Sequence, residues 1–341
     1  MTICDRIEAA LRLQPVDRIP FTCYEGVVPA GALDIIPDLG IVRPCGPYGT
    51  STPNVQWSSE QIDDETMVQT IETPIGKLTQ RSVKESGYGS WWITEYYVKT
   101  PEDYGVLEYW MNDHVLTPNP DIQKSQADDV GDRGVIMGSL PRAPLQKLWI
   151  EYAGIERMSL DLFDCRDKVL SVLEAMGRIN REAAEINAES PAEFVWLPDN
   201  MTGEVAGPAL FGEILAPYYA EMCEILHAKG KRLVCHMDGM MKRLVDTVAE
   251  TDIDIIEAFT PPPDADLPLD EARAAWQGKA IWINFPSSVH LNPPERVKEV
   301  TRELVAQAGD EPGFLVSITE NIPLDIGTRS LEAIGEVLRG E

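Results

Sequence analysis

Glu193-Phe194-Val195-Trp196-Leu197 leads into a helical pattern over Leu210–Lys229, and Arg232-Leu233-Val234-Cys235-His236 leads into another over Met241–Glu250. The alternation continues. Ile253 to Ala258 precedes Asp270–Gln277, Lys279 to Asn284 precedes Glu295–Ala308, and Gly313 to Ser317 precedes Arg329–Leu338. Each strand is short and nearly all apolar, as a strand covered on both faces is. Each is followed by a helix, which is what parallel neighbours require. A closed barrel and an open doubly wound sheet both satisfy this pattern. No G-x-G-x-x-G follows a strand and no G-x-x-x-x-G-K-[ST] occurs, which weakens the nucleotide-binding sheet. A (β/α)8 barrel takes about 250 residues. The chain has 341, and a β-rich insertion over residues 60–130 accounts for most of the surplus. The expected fold is therefore α/β, a (β/α)8 TIM barrel over residues 1–341 with that insertion in its N-terminal half.

Upstream, Thr2-Ile3-Cys4-Asp5 has the form of a capping box, and Ile3, Ile7, Ala10 and Leu11 follow at helical spacing. A first helix is expected to about Leu13, then a short strand over Arg18–Tyr24. Gly26 to Ser59 is rich in Pro and Gly and has no clear period. Residues 66–83 alternate as a hairpin about Thr73-Pro74-Ile75-Gly76, Trp91–Val98 reads as a further strand, and Pro101-Glu102-Asp103 opens a helix. Gly134–Gly138 is a short apolar strand, with a helix near Pro144–Tyr152 and a long amphipathic helix over Arg166–Ala188. Seven barrel strands can be placed this way; the eighth must lie in the irregular early part.

Lys plus Arg number 29 and Asp plus Glu 56, a formal net charge of −27. Such a surface repels phosphate backbones and anionic lipid, so nucleic acid and membrane surfaces are poor partners. No run approaches the ~18 apolar residues of a membrane span. Charged residues break any apolar run in the first 20 residues, so no signal peptide is read. The six cysteines form no C-x-x-C pair, which fits a reduced, cytoplasmic protein.

In a barrel the chemistry gathers where the C-terminal strand ends converge. Those ends carry Tyr24 and Glu25, Ser139 and Arg142, Asp199 and Asn200, His236 and Asp238, Glu257, Asn284 and Ser287, and Ser317, Thr319, Glu320 and Asn321. His236 closes an apolar strand and Asp238 follows two residues on, a spacing that can aim both at one cavity. With Glu320 and Glu257 they supply enough N and O ligands for zinc with one position open. The other reading is a strand-end histidine hydrogen-bonded to a carboxylate. Asp199, beside Trp196, is either an acid/base group with a raised pKa or a turn residue. Tyr24 could protonate a leaving group; Glu25, Asn200, Asn284 and Arg142 are candidates for holding substrate. Cys235 should turn away from His236 as a buried thiol.

The stretches Leu210-Phe211-Gly212-Glu213-Ile214-Leu215-Ala216-Pro217-Tyr218-Tyr219, Leu226 to Lys231, His236-Met237-Asp238-Gly239 and Arg18-Ile19-Pro20-Phe21 resemble the uroporphyrinogen decarboxylase superfamily, which also holds cobalamin-dependent methyltransferases. The resemblance implies the (β/α)8 barrel. True decarboxylases of the superfamily carry an arginine-rich segment after the first strand, where this chain reads Thr22-Cys23-Tyr24-Glu25-Gly26. That substitution argues against a porphyrinogen substrate. The thiol-methylating branch binds zinc through His-x-Cys and a later Cys. Here the corresponding positions read His236-x-Asp238 and, by approximate alignment, Glu320. Harder ligands leave zinc a stronger Lewis acid, suited to polarising an oxygen.

The resemblance thus implies the methyltransferase component of a corrinoid-dependent demethylation system. Its substrate would be a small methoxylated compound, its acceptor a separate corrinoid protein, its aid zinc. A metal-free decarboxylase or lyase with Asp199 and His236 as acid/base groups is the alternative, and a binding module without chemistry is a third. Homo-oligomerisation is left open.

Overall fold

The computed structural model describes residues 1–29, 31–85, 90–323 and 326–341. Its strands are β1 (Phe21–Tyr24), β2 (Leu39–Pro44), β3 (Tyr48–Ser51), β4 (Gln56–Gln61), β5 (Thr66–Thr73), β6 (Gly76–Lys84), β7 (Trp91–Glu95), β8 (Val115–Pro118), β9 (Gly134–Ser139), β10 (Phe194–Leu197), β11 (Arg232–His236), β12 (Ile255–Phe259), β13 (Ala280–Asn284) and β14 (Phe314–Ile318). Eight of them close a parallel barrel in the order β1-β14-β13-β12-β11-β10-β9-β2, β2 pairing back onto β1. The expected barrel is therefore present.

The missing eighth strand is β2, inside the stretch that showed no period. Its six residues include Gly40 and Pro44, so alternation cannot mark it out. Packing demands Gly40: a Cβ there would lie 2.7 Å from Ile3 Cγ2 and 2.9 Å from Ile7 Cδ1.

The chain divides into two compact units. The first (Met1–Pro47, Pro120–Leu140 and Asn187–Glu341) holds the barrel. The second (Tyr48–Asn119 and Pro141–Ile186) holds an antiparallel β3-β8 pair and a four-stranded antiparallel sheet, β4-β5-β6-β7. The expected hairpin is β5–β6, turning at Pro74-Ile75. The expected insertion over residues 60–130 falls in the second unit, apart from residues 120–130, which group with the barrel.

Strand periodicity layers the lumen. Val42, Val135, Met137, Phe194, Val234, Ile255, Ala280, Trp282 and Leu315 form its apolar core. The first helix, Ile3–Leu11, carries the anticipated capping box between Thr2 and Asp5 and adds Ile7, Ala10 and Leu11 to that core from the N-terminal end. Two residues beyond the apolar layer, the same alternation sends Tyr24, Ser317, Asn284, Glu257, His236 and Trp196 inward. The lumen is thus apolar along its length and polar at its C-terminal mouth.

Candidate active site

Glu257 is the hub of that polar layer and has no exposed surface. Its Oε1 accepts the Tyr24 hydroxyl at 2.6 Å. Its Oε2 accepts the Trp196 indole N–H at 3.0 Å and faces His236 Nδ1 at 2.8 Å. Tyr24 makes its bond from across the lumen, since β14 and β13 stand between β1 and β12. The backbone helps to aim Glu257. The β12–β13 register shifts between Glu257 and Phe259, and Ala258 sits in the left-handed region at φ 55°. A bulge of this kind re-aims the side chain beside it, and a non-glycine residue there is strained.

His236 is set between two carboxylates. Nδ1 faces Glu257, and Nε2 lies 3.5 Å from Asp238 Oδ2, itself held by the Asn200 amide at 2.9 Å. Burial by itself would lower the imidazole pKa. The charge of Glu257 and the contacts with Asp238 and Glu257 outweigh it and push it up to about 10. Burial likewise works to raise Asp238, but the hydrogen bond and charge of His236 and the Asn200 amide hold its pKa below the ordinary carboxylate value. Burial and the neighbouring Glu257 keep the Tyr24 phenol well above its usual value, so it stays a neutral donor. His236 therefore favours its protonated form, with Nδ1 against the buried Glu257 and Nε2 toward the half-buried Asp238.

The structure brings Tyr24, His236, Asp238, Asn200 and Glu257 together, and it adds Trp196, which sequence reasoning treated only as a neighbour of Asp199. Counting inward positions from Phe194 would have found it. Asp199 is not part of the group. It is buried, accepts the Tyr219 hydroxyl at 2.7 Å, and its charge is one cause of the raised thiol pKa of Cys235. Cys235 lies on the outward side of β11, buried as expected, so Asp199 belongs behind the strand that carries His236. Glu25 turns to Arg43, whose Nε donates to it at 2.5 Å, and Arg43 also binds Asp129 at 2.8 Å. Neither Glu25 nor Arg43 is thus free to hold substrate. Arg142 lies in the second unit, paired with Glu151 at 3.2 Å. Asn284 reaches the mouth.

As arranged, the donors do not fit zinc. Both Glu257 oxygens are taken up by Tyr24, Trp196 and His236, both ring nitrogens of His236 face carboxylates, and Glu320 accepts the Ser287 hydroxyl at 2.5 Å. Among the described residues no three His, Cys, Asp or Glu side chains form a group that could hold a metal ion. A cavity of about 570 Å³ opens near the N-terminal end of the barrel, lined in part by Cys4, Glu8, Arg12 and Glu193. Its arginine is already bound to Glu8 and Glu193, so it offers no comparable chemistry.

The family model described as "Uroporphyrinogen decarboxylase (URO-D)" matches residues 150–340. A uroporphyrinogen decarboxylase from Anaeromyxobacter dehalogenans (strain 2CP-C) is 26% identical over 143 residues, covering 42% of this chain and 39% of the relative. A second, from Anaeromyxobacter sp. (strain Fw109-5), is 28% identical over 122 residues, covering 36% of this chain and 34% of the relative. The match thus spans well under half the length of these curated relatives. Among solved structures, a methyltransferase from Methanosarcina mazei superposes over 100% of this chain and 99% of its own with a TM-score of 0.63 at 11% identity, a likeness of fold.

Proposed function

This chain belongs to the uroporphyrinogen decarboxylase family, and from that premise we propose that it is a methyltransferase-type member, taking a methyl group from a small methoxylated compound for delivery to a corrinoid protein. The observation that carries the reading is the placement of His236 at the strand ends, Nδ1 on the buried Glu257 and Nε2 3.5 Å from the half-buried Asp238. A methyl ether is a poor methyl donor because its oxygen would leave as an anion. A general acid matched to that oxygen relieves the difficulty. Phenols lose their proton near pH 10, and His236 holds its own up to about 10. The imidazolium is therefore matched to an aryl methyl ether.

In this reading the ether oxygen rests against Nε2–H beside Asp238. As the methyl–oxygen bond breaks, its electron pair stays on oxygen and the Nε2 proton moves to it, so the product leaves as a neutral phenol. The corrinoid, carried on the partner, supplies the nucleophile that accepts the methyl group. Glu257 and Tyr24 hold the ring in place, and Asp238 with Asn200 orients its outer edge. The reading calls on no metal: the Nε2 proton does at the ether oxygen the work a Lewis acid would do. Support against a porphyrinogen substrate comes from Glu25, after β1 where the cationic segment of true decarboxylases lies, which neutralises Arg43 on β2.

The test is methyl transfer from methoxybenzene derivatives to free reduced cobalamin, followed by absorbance of the methylated product. His236→Gln should lower the rate about 100-fold or more, the ordinary worth of a general acid. An unaffected variant would overturn the assignment, as would carbon dioxide release from a small acid without any methylated donor, which is the decarboxylase outcome.

A further inference from the structure

Two groups in the polar layer take no part in the Glu257–His236 network. Asn284 closes β13, Ser317 is the penultimate residue of β14, and the two are register partners. Both alternate with core residues of the lumen, Asn284 with Trp282 and Ser317 with Leu315, so both face inward. Both are buried, at 1% and 0% exposure. Asn284 Oδ1 accepts the Thr319 N–H at 3.1 Å. That bond decides which end of the amide is which and leaves Nδ2 as a donor. Among the described residues, neither Asn284 Nδ2 nor Ser317 Oγ has a hydrogen-bond partner. Buried polar groups are nearly always satisfied, so two orphans side by side at a barrel mouth ask for a ligand.

We propose that Asn284 and Ser317 form a second anchoring point for the substrate and take an uncharged oxygen acceptor, an amide or ketone carbonyl. Nδ2–H and Oγ–H are both neutral donors, suited to one oxygen with two lone pairs. The adjoining charges favour a neutral group over a carboxylate, since one imidazolium, His236, stands against two acids, Glu257 and Asp238. The loops after β13 and β14 are tied by the exposed Ser287–Glu320 hydrogen bond of 2.5 Å. The substrate class is then a neutral methoxylated compound with a carbonyl some distance from its ether oxygen. This inference rests on reading the mouth as the substrate site and deepens it.

Binding rather than turnover tests it, by calorimetry with three probes: 3-methoxybenzamide, 3-methoxybenzoate and methoxybenzene. The wild-type protein should bind the amide about 5-fold or more tighter than methoxybenzene, the worth of one or two neutral hydrogen bonds, and should bind the benzoate less well than the amide. Ser317→Ala should erase most of the amide's advantage and leave methoxybenzene unchanged. Asn284→Asp should do the same, because it keeps the acceptor for Thr319 and removes the donor. Removing an orphaned hydroxyl should leave the thermal midpoint of Ser317→Ala unchanged or higher, which a structural serine would not do. The proposal is overturned if the amide fails to bind, if the benzoate binds more tightly, or if Ser317→Ala retains the amide's full advantage. Intact discrimination without methyl transfer to any corrinoid sinks the functional reading alone.

Discussion

Glu257→Gln keeps the shape of the hub and removes the charge on the Nδ1 side of His236. In the wild type, that charge and the contacts with Asp238 overcome burial and carry the imidazole from an ordinary 6.5 to about 10. At about 1.4 kcal/mol per pKa unit, the distance bounds the extra stabilisation of the imidazolium at roughly 5 kcal/mol. With the carboxylate gone, Asp238 alone opposes burial, and the His236 pKa should fall from about 10 toward its ordinary value. The sign for stability follows. A raised histidine pKa contributes fully below pH 6.5 and is lost as pH climbs through about 10. The wild-type thermal midpoint should therefore decline between those values, and the variant should show a smaller decline. The glutamine also sets an amide N–H₂ against Trp196, His236 or Tyr24, so the variant should be less stable by about 3–5 kcal/mol at neutral pH.

Histidine side-chain NMR reads the titration directly. The chain has four histidines, His236→Gln assigns the one that matters, and burial holds the pKa of His290 down to about 4, so the two separate. Tyr24→Phe is the control: it removes the 2.6 Å bond but no charge, and His236 should stay protonated at pH 7. A wild-type His236 that titrates near or below 6.5, or one that titrates identically in the glutamine variant, refutes the charge argument and with it the general-acid role.

Three other outcomes follow from the same structure. Asp199→Asn keeps an acceptor for the Tyr219 hydroxyl, so steady-state rates should stay within about 3-fold of wild type; a drop of ~100-fold would return Asp199 to the catalytic group. Ala258→Gly releases a left-handed residue that costs about 1–2 kcal/mol against glycine's own entropic penalty of about 0.5–1 kcal/mol. Urea unfolding should show a gain of up to about 1 kcal/mol, and a clear loss would mean that the bulge is unstrained. Elemental analysis of protein expressed with added zinc should find well below one ion per chain; a full equivalent that disappears in His236→Ala would overturn the metal-free reading.

Strand and helix periods are local properties, which is why the alternation from Glu193 onward, the capping box at Thr2 and the β5–β6 hairpin could all be read from residue order alone. The same alternation, carried to the strand ends, put Tyr24, Asn200, His236, Asp238, Glu257 and Asn284 at the mouth before any coordinates. Two kinds of information were not local. β2 is a strand because its neighbours pair with it and because Gly40 makes room for Ile3 and Ile7, and neither fact leaves a period in six residues. The chemistry of the mouth was the other. Which acid seals Nδ1, whether Glu320 reaches the histidine, and whether Asp199 faces the lumen or the back of β11 all depend on distances between side chains remote in sequence. Residue types marked the candidates, but packing chose Glu257 as the hub, sent Asp199 to Tyr219, and set Glu257 and Asp238 on opposite sides of the His236 ring.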